Sequence, residues 1–314
     1  MKTGIFSILS AMILFAVSSC VGPKEVEVHK LEGFALGTVW SVTIKGDMPD
    51  DMRDQIESLL SQADRSMSVF NPESTISKLN DNRSDRVDEH IARCIEVARE
   101  VSELSGGKYD ITVLPLVEAY GFAAKEPDFD VNVDSLLQFI GYDKIEVRNG
   151  RLIKSDPRIR LDLNSVAKGY IVDMVASLID KNGIRDYLVN IGGEIFARGT
   201  NRNGNKWGVG VETPIEGNMT PGRSIERRVD VSDKAVATSG NYRNFRTDAA
   251  GRKFTHIIDP TSGNNTESNL LSASVVAENC ARADALGTMY ITLGLDGSTD
   301  IIEEHPELAV LLIY

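Results

Sequence analysis

The sequence predicts an α+β fold: one domain of mixed and antiparallel sheets with packed helices. Two observations carry this. Stretches whose apolar residues repeat every second position are mixed with stretches of helical spacing, without the regular strand–helix alternation of a doubly wound sheet. Residues 187–277 hold seven strand-like runs in succession, and helical spacing brackets them on both sides.

The elements follow in order. Met1-Lys2-Thr3-Gly4 carries one charge, Ile5 to Val17 is apolar, and Val17-Ser18-Ser19-Cys20 closes the run. A basic start, a short apolar run and small residues before a cut site make a secretion signal. The run is too short to span about 30 Å of hydrocarbon as a mature helix. Small residues directly before a cysteine suit diacylglycerol attachment to its thiol, so residues 1–19 are expected to be removed and Cys20 to be lipidated. An ordinary signal with an incidental cysteine is the alternative. Residues 20–30 are polar and read as a tether, and residues 31–314 as the folded domain.

Trp40, Val42 and Ile44 alternate as in a half-buried strand, while Met52, Ile56, Leu60 and Ala63 keep helical spacing. So do Ile91, Cys94, Ile95, Ala98, Val101 and Leu104, a helix closed by Gly106-Gly107 in a left-handed cap. Asn149-Gly150 between apolar-bearing arms predicts a hairpin over 145–153. Ile159 to Leu163 reads as a strand feeding a helix over 165–182, and a last helix over 278–293 precedes a strand at 309–313.

Without residues 1–19 the chain has 295 residues with 33 basic and 46 acidic side chains, net −13. That balance argues against a nucleic-acid partner, since phosphate contacts need clustered Lys and Arg. The four histidines lack zinc spacing, so a metal would be held mainly by oxygen. With Cys20 lipidated, Cys94 and Cys280 remain, both in helical stretches where buried free thiols are common.

Five polar, glycine-bearing segments are candidates for chemistry. Gly106-Gly107-Lys108-Tyr109-Asp110 follows a helix, where glycine lets backbone approach a ligand; a tight turn explains it as well. Asp162 to Asp173 runs from strand to helix, and Lys168 in the first turn opposes the helix dipole unless it faces an anion. A solvated lysine, with Asn164 or Ser165 as cap, is the plainer account. Asn190-Ile191-Gly192-Gly193-Glu194 reads as a hairpin turn. His256 and Asp259 end a strand at a Pro/Gly turn, where catalytic side chains are often mounted. Asp284 and Thr288, four apart, share a helical face that can offer oxygen to Mg²⁺, or can serve helix-internal bonds.

Taken together and in order, these segments resemble the ApbE family, the FAD:protein FMN transferases. The resemblance runs from Gly33 to the C-terminus. It rests on Leu36-Gly37-Thr38, Met67-Ser68-Val69-Phe70, Ser74 to Asn80, Tyr109-Asp110-Ile111-Thr112-Val113, Ala167-Lys168-Gly169-Tyr170, Ala237-Thr238-Ser239-Gly240, His256-Ile257-Ile258-Asp259-Pro260 and Asp284 to Thr288. It implies FAD as substrate in a deep cleft, with Mg²⁺ at the diphosphate on the Ala167 carbonyl, Asp284 and Thr288. Flavin and adenosine contacts would fall on Leu36, Phe70, Lys108, Tyr109, Asp110, Lys168, Tyr170, His256 and Ile258. Leu36 stands where methionine is usual, Phe70 where tyrosine is usual, and Asn164-Ser165 where a glycine-rich pair is commoner.

The implied reaction is attack by an acceptor threonine on the FMN-side phosphorus, expelling AMP, with His256 as the first candidate base, Lys168 neutralising charge and Asp284 mainly a ligand. The expected partner is a flavin-carrying subunit of a membrane electron-transfer complex, met at the periplasmic face of a bacterial membrane. Mg²⁺-dependent FAD hydrolysis uses the same electrophile, and a flavin-binding lipoprotein without catalysis is a further alternative.

Overall fold

In a computed structural model of the chain, which describes residues 26–123, 132–215, 224–241, 245–247, 253–265 and 268–314, the alternation of Trp40, Val42 and Ile44 becomes a strand with those three side chains buried. In chain order the elements are β1 (Val28–Ala35), β2 (Thr38–Lys45), α1 (Met52–Met67), α2 (Thr75–Asn80), α3 (Glu89–Leu104), α4 (Leu114–Ala119), α5 (Val133–Leu137), β3 (Ile145–Arg148), β4 (Arg151–Lys154) and α6 (Ala167–Lys181). There follow β5 (Tyr187–Ile191), β6 (Glu194–Arg198), β7 (Trp207–Glu212), β8 (Ile225–Val231), β9 (Lys234–Gly240), β10 (Phe245–Thr247), β11 (Lys253–Thr255), β12 (Ser272–Ala277), α7 (Cys280–Glu304) and β13 (Ala309–Ile313). The signal segment and Cys20 lie outside the described residues. β1 starts at Val28, so residues 28–30, read as tether, instead pair with Lys45, Ile44 and Thr43.

The main sheet has the order β1-β2-β5-β6-β9-β12-β13, and every neighbouring pair in it is antiparallel. Successive strand residues point to opposite faces, and the packing shows it. Val189, Ala237 and Val275 join the large core under the helices, while Leu188, Val236 and Val276 pack on the other side with Trp207, Val209 and Val231 of the β7–β8 hairpin. α6 and α7 lie on the helical face, with α1 packed on α6 and α3 on α7. A third, smaller core joins Leu114, Leu116, Val117 and Tyr120 around α4 to Ile140 and Ile258. No described helix is long and apolar enough to cross a membrane.

Local chemistry sets most element ends. Ser74, Asp88 and Asn279 accept N–H bonds from Ser77, Ile91 and Arg282 and so start α2, α3 and α7. α3 ends as expected: Gly106 is left-handed, its N–H reaches Glu103 O, and Gly107 N–H reaches Ser102 O, the two bonds of a Schellman cap.

Three further expectations need correction. Residues 159–163 form no strand: Ile159, Leu161 and Leu163 are buried, but only Arg160 bridges, to Val113. The Asn80 amide takes the place of a neighbouring strand, donating to Leu161 O at 2.9 Å and accepting from Leu161 N–H at 2.7 Å. α6 starts at Ala167 rather than 165, and neither Asn164 nor Ser165 caps it. The last helix kinks at Gly294 (φ 70°) and resumes to Glu304, where Asn269 Oδ1 accepts the Leu295 N–H at 2.9 Å.

Candidate active site

All five segments meet at one cavity of about 450 Å³. Phe70, Lys108, Tyr109, Asp110, Lys168, His256, Ile258, Asp284 and Thr288 line it. Leu36 and Tyr170 do not. Leu36 occupies the β1–β2 turn in left-handed backbone (φ 54°) and packs half-buried on the helix-side core. Tyr170 lies one residue past Gly169 and faces outward between α6 and α3, its hydroxyl 3.2 Å from His90 Nδ1, beside a separate depression. Ala167 is buried at the first position of α6, next to the lining residue Lys168.

The Schellman cap on α3 turns the chain so that Lys108 lines the cavity. Its Nζ donates to Asp259 Oδ2 and Thr261 Oγ1, both at 2.7 Å, which ties the first segment to the fourth. Burial alone would raise Asp259, but Lys108 and Thr261 outweigh it and hold this carboxyl below the ordinary aspartate value. Tyr109 is buried, with its hydroxyl 3.0 Å from Ser165 Oγ. Asp110 turns back on its own loop: Oδ1 accepts from Thr112 N–H at 2.8 Å and Thr112 Oγ1 at 2.7 Å. His256 presents its ring to the edge of Phe122, with centroids 6.3 Å apart.

Across the cavity the start of α6 meets α7. Asp284 is 2% exposed, and its Oδ2 accepts the Gly169 N–H at 3.0 Å. Oδ1 accepts no hydrogen bond from the described residues. One helical turn on, Thr288 Oγ1 lies 3.3 Å from Ser239 Oγ of β9. This approach needs Gly287, where a Cβ would fall 2.9 Å from that Ser239 oxygen. On the cavity side of α7 it is Thr292 whose hydroxyl bonds back to its own helix, to Thr288 O.

Sequence reasoning did not single out Glu194. It is 2% exposed, at the start of β6, and accepts from Lys168 Nζ at 2.6 Å. Burial raises its carboxyl above the ordinary range, and Lys168 pulls it back. Burial lowers Lys168, but Glu194 and Asp284 outweigh that and leave it above the ordinary lysine value, hence charged. The available signal was the paired-glycine turn that delivers this side chain; its partner lies 26 residues away and has no local signature.

Where α6 meets α7 the cavity thus sets two buried carboxylates, Glu194 and Asp284, against the Lys168 ammonium, with the Thr288 and Ser239 hydroxyls one helical turn on from Asp284. Among the described residues no group of three His, Cys, Asp or Glu side chains can hold a metal. Zinc-type ligation is therefore not on offer here, whereas one carboxylate with neutral oxygens suits a hard cation that keeps water or phosphate in its shell. The residues fit Mg²⁺ in that sense.

The chain is similar to known proteins over nearly its whole length. The chain is 31% identical over 316 residues to the FAD:protein FMN transferase of Vibrio cholerae, covering 97% of this chain and 92% of that protein. It is 30% identical over 330 residues to the FAD:protein FMN transferase of Haemophilus influenzae, covering 100% and 93%. The solved flavin transferase ApbE from Vibrio cholerae matches with a TM-score of 0.81 at 29% identity, over 92% of this chain and 94% of that one. The model of the ApbE family matches residues 36–312, nearly the whole described domain, and the chain belongs to that family.

Proposed function

We propose that this protein transfers the FMN half of FAD to a threonine hydroxyl of an acceptor protein and releases AMP. The observation that carries the reading is the convergence of Lys168, Asp284 and Thr288 with the first turn of α6 on one cavity. A helix start with a charged lysine is suited to a diphosphate, because both its N–H groups and the ammonium meet negative charge.

The reaction forms a bond from the acceptor oxygen to the FMN-side phosphorus and breaks the bond to the bridging oxygen, which leaves with AMP. His256 takes the threonine proton. Lys168 meets the charge on the diphosphate, and the apolar lining of Val113, Val117, Ile257 and Ile258 lowers the local dielectric around it. Asp284, Thr288 and the Ala167 carbonyl would hold Mg²⁺, which supplies charge neutralisation on the diphosphate oxygens. Lipid on Cys20 would keep the enzyme at the periplasmic face of a bacterial membrane, beside acceptors such as flavin-carrying subunits of electron-transfer complexes.

The test is to incubate purified protein with FAD, Mg²⁺ and an exported candidate acceptor, then record intact mass and AMP. Acceptor mass rising by one FMN per AMP released supports transfer. AMP and free FMN in equal amounts, with the acceptor unlabelled, would make the protein a hydrolase instead.

A further inference from the structure

The β5–β6 turn is built to deliver one carboxylate. Gly192 and Gly193 both have positive φ, 61° and 101°, and a Cβ on Gly192 would fall 2.9 Å from Thr38 Oγ1. The turn is also tied down by Gly192 N–H on Val39 O and Gly193 N–H on Asn190 Oδ1, both at 3.0 Å. The next residue, Glu194, is buried, and a buried carboxylate is costly unless its charge is met. Both its oxygens are met: Oε1 accepts from Lys168 Nζ at 2.6 Å and Oε2 from Thr238 N–H at 3.3 Å.

Two of the buried carboxylates on this cavity act on Lys168, Glu194 and Asp284. Among the described residues its only ion pair is with Glu194. Asp284 keeps one oxygen on the Gly169 N–H and the other without a hydrogen bond.

We infer that Glu194 is a positioning residue that captures the Lys168 ammonium and so keeps the Asp284 carboxylate open as a ligand for a divalent cation. This rests on the metal site proposed above. Without the Glu194 charge, Lys168 turns to Asp284, the other buried carboxylate that acts on it, and an ammonium there competes with the cation by like-charge repulsion. A double-mutant cycle separates this from a merely structural role, because removing the ammonium as well removes the competitor.

The experiment titrates Mn²⁺ into the full-length protein without FAD, following free Mn²⁺ by electron paramagnetic resonance, with circular dichroism to verify folding. Glu194→Gln should bind Mn²⁺ about tenfold more weakly than wild type. Lys168→Met should bind at least as tightly as wild type, and Glu194→Gln with Lys168→Met should regain wild-type affinity to within about threefold. The Lys168→Met arm leaves Glu194 intact, so the idea is exposed even where Glu194→Gln does not fold: weaker binding there overturns it. Wild type and Asp284→Ala binding alike would remove the metal site and this inference with it. Loss of Mn²⁺ in Asp284→Ala with full affinity in Glu194→Gln would overturn the inference alone.

Discussion

Gly169 and Cys280 meet backbone to backbone: a Cβ on Gly169 would lie 2.2 Å from the Cys280 carbonyl oxygen and 2.8 Å from the Ala281 nitrogen. With no side chain between them, the first turns of α6 and α7 lie side by side, and each helix caps the other. Asp284 of α7 accepts the Gly169 N–H, while Asp173 of α6 accepts Cys280 N–H at 2.7 Å and Ala281 N–H at 2.9 Å. The contact that packs the two helices therefore also fixes the distance between Lys168 and Asp284.

Gly169→Ala should destabilise the protein and abolish activity. Alanine in a helix gains up to about 1 kcal/mol over glycine. The clash is with backbone, which cannot swing aside, and overpacking costs about 1–3 kcal/mol or more. The net effect should be a loss of about 1–2 kcal/mol in urea unfolding, with AMP release gone because Asp284 is carried away from Lys168. A variant as stable and active as wild type would show that the helices do not need this contact.

Asp173→Ala should cost about 1–2 kcal/mol by leaving two N–H groups of α7 uncapped. Asp173→Asn isolates the charge. Burial raises the Asp173 carboxyl to about 6, although the Cys280 and Ala281 N–H groups pull it down. The folded state then holds a proton that the unfolded state has released, so this group's contribution to stability falls as pH rises from the ordinary aspartate value through about 6. Wild type should accordingly lose stability relative to Asp173→Asn between pH 4 and pH 7 in denaturant melts. A wild-type stability that stays flat or rises relative to Asp173→Asn over that range would mean that the two N–H bonds outweigh burial.

Much of this fold was legible because local rules decide it. Gly106-Gly107 ends α3, Asn149-Gly150 turns the β3–β4 hairpin (Arg148 pairs Arg151), and the strand bounds 187–191, 194–198 and 207–212 follow alternation. The failures are tertiary. Residues 159–163 carry a strand pattern because they are buried alternately, yet a side-chain amide from Asn80, 81 residues away, meets their backbone. The start of α6 was placed two residues early, since its capping carboxylate comes from Asp284 rather than from a neighbour in sequence. Leu36 and Tyr170 sit in the right motifs but away from the cavity, and Glu194 was overlooked because a buried ion pair has no period.

Asp284→Ala should abolish AMP release while leaving part of the FAD affinity, because Phe70, Tyr109 and Ile258 line the cavity from other elements. Ca²⁺, with longer and looser coordination than Mg²⁺, should support the reaction poorly. Stopped assays with either ion and with excess EDTA decide it. Full activity in EDTA would dispose of the metal mechanism.

Cys20→Ala should release an active protein from the membrane fraction. β1 begins at Val28, eight residues after Cys20, and no described helix is long and apolar enough to cross a membrane. The variant should appear in the soluble fraction after a salt wash, with AMP release per molecule unchanged. A variant that stays with the membrane would mean that something other than lipid on this thiol holds the protein there.

The enzyme should not label itself. The resemblance implies acceptors with a threonine in a Ser/Thr-Gly-Ala-Thr-like stretch, and this sequence contains none. Its nearest fragment, Ala237-Thr238-Ser239-Gly240, lies in β9 and lines the cavity, with Thr238 Oγ1 held 2.7 Å from Ser274 Oγ. The other threonines on the cavity, Thr288 and Thr292, sit on α7, one against Ser239 and the other bonded to its own helix. A nucleophile must reach the phosphorus in line with the leaving oxygen, and hydroxyls fixed on the cavity walls by strand and helix cannot travel to do so. The acceptor is then expected to be a separate polypeptide. Enzyme incubated alone with FAD and Mg²⁺, denatured and run on a gel, should show no flavin fluorescence in its band, and adding the acceptor should place fluorescence in the acceptor band only. Flavin on the enzyme that disappears when one of its own threonines is changed would show that donor site and acceptor reside in the same chain.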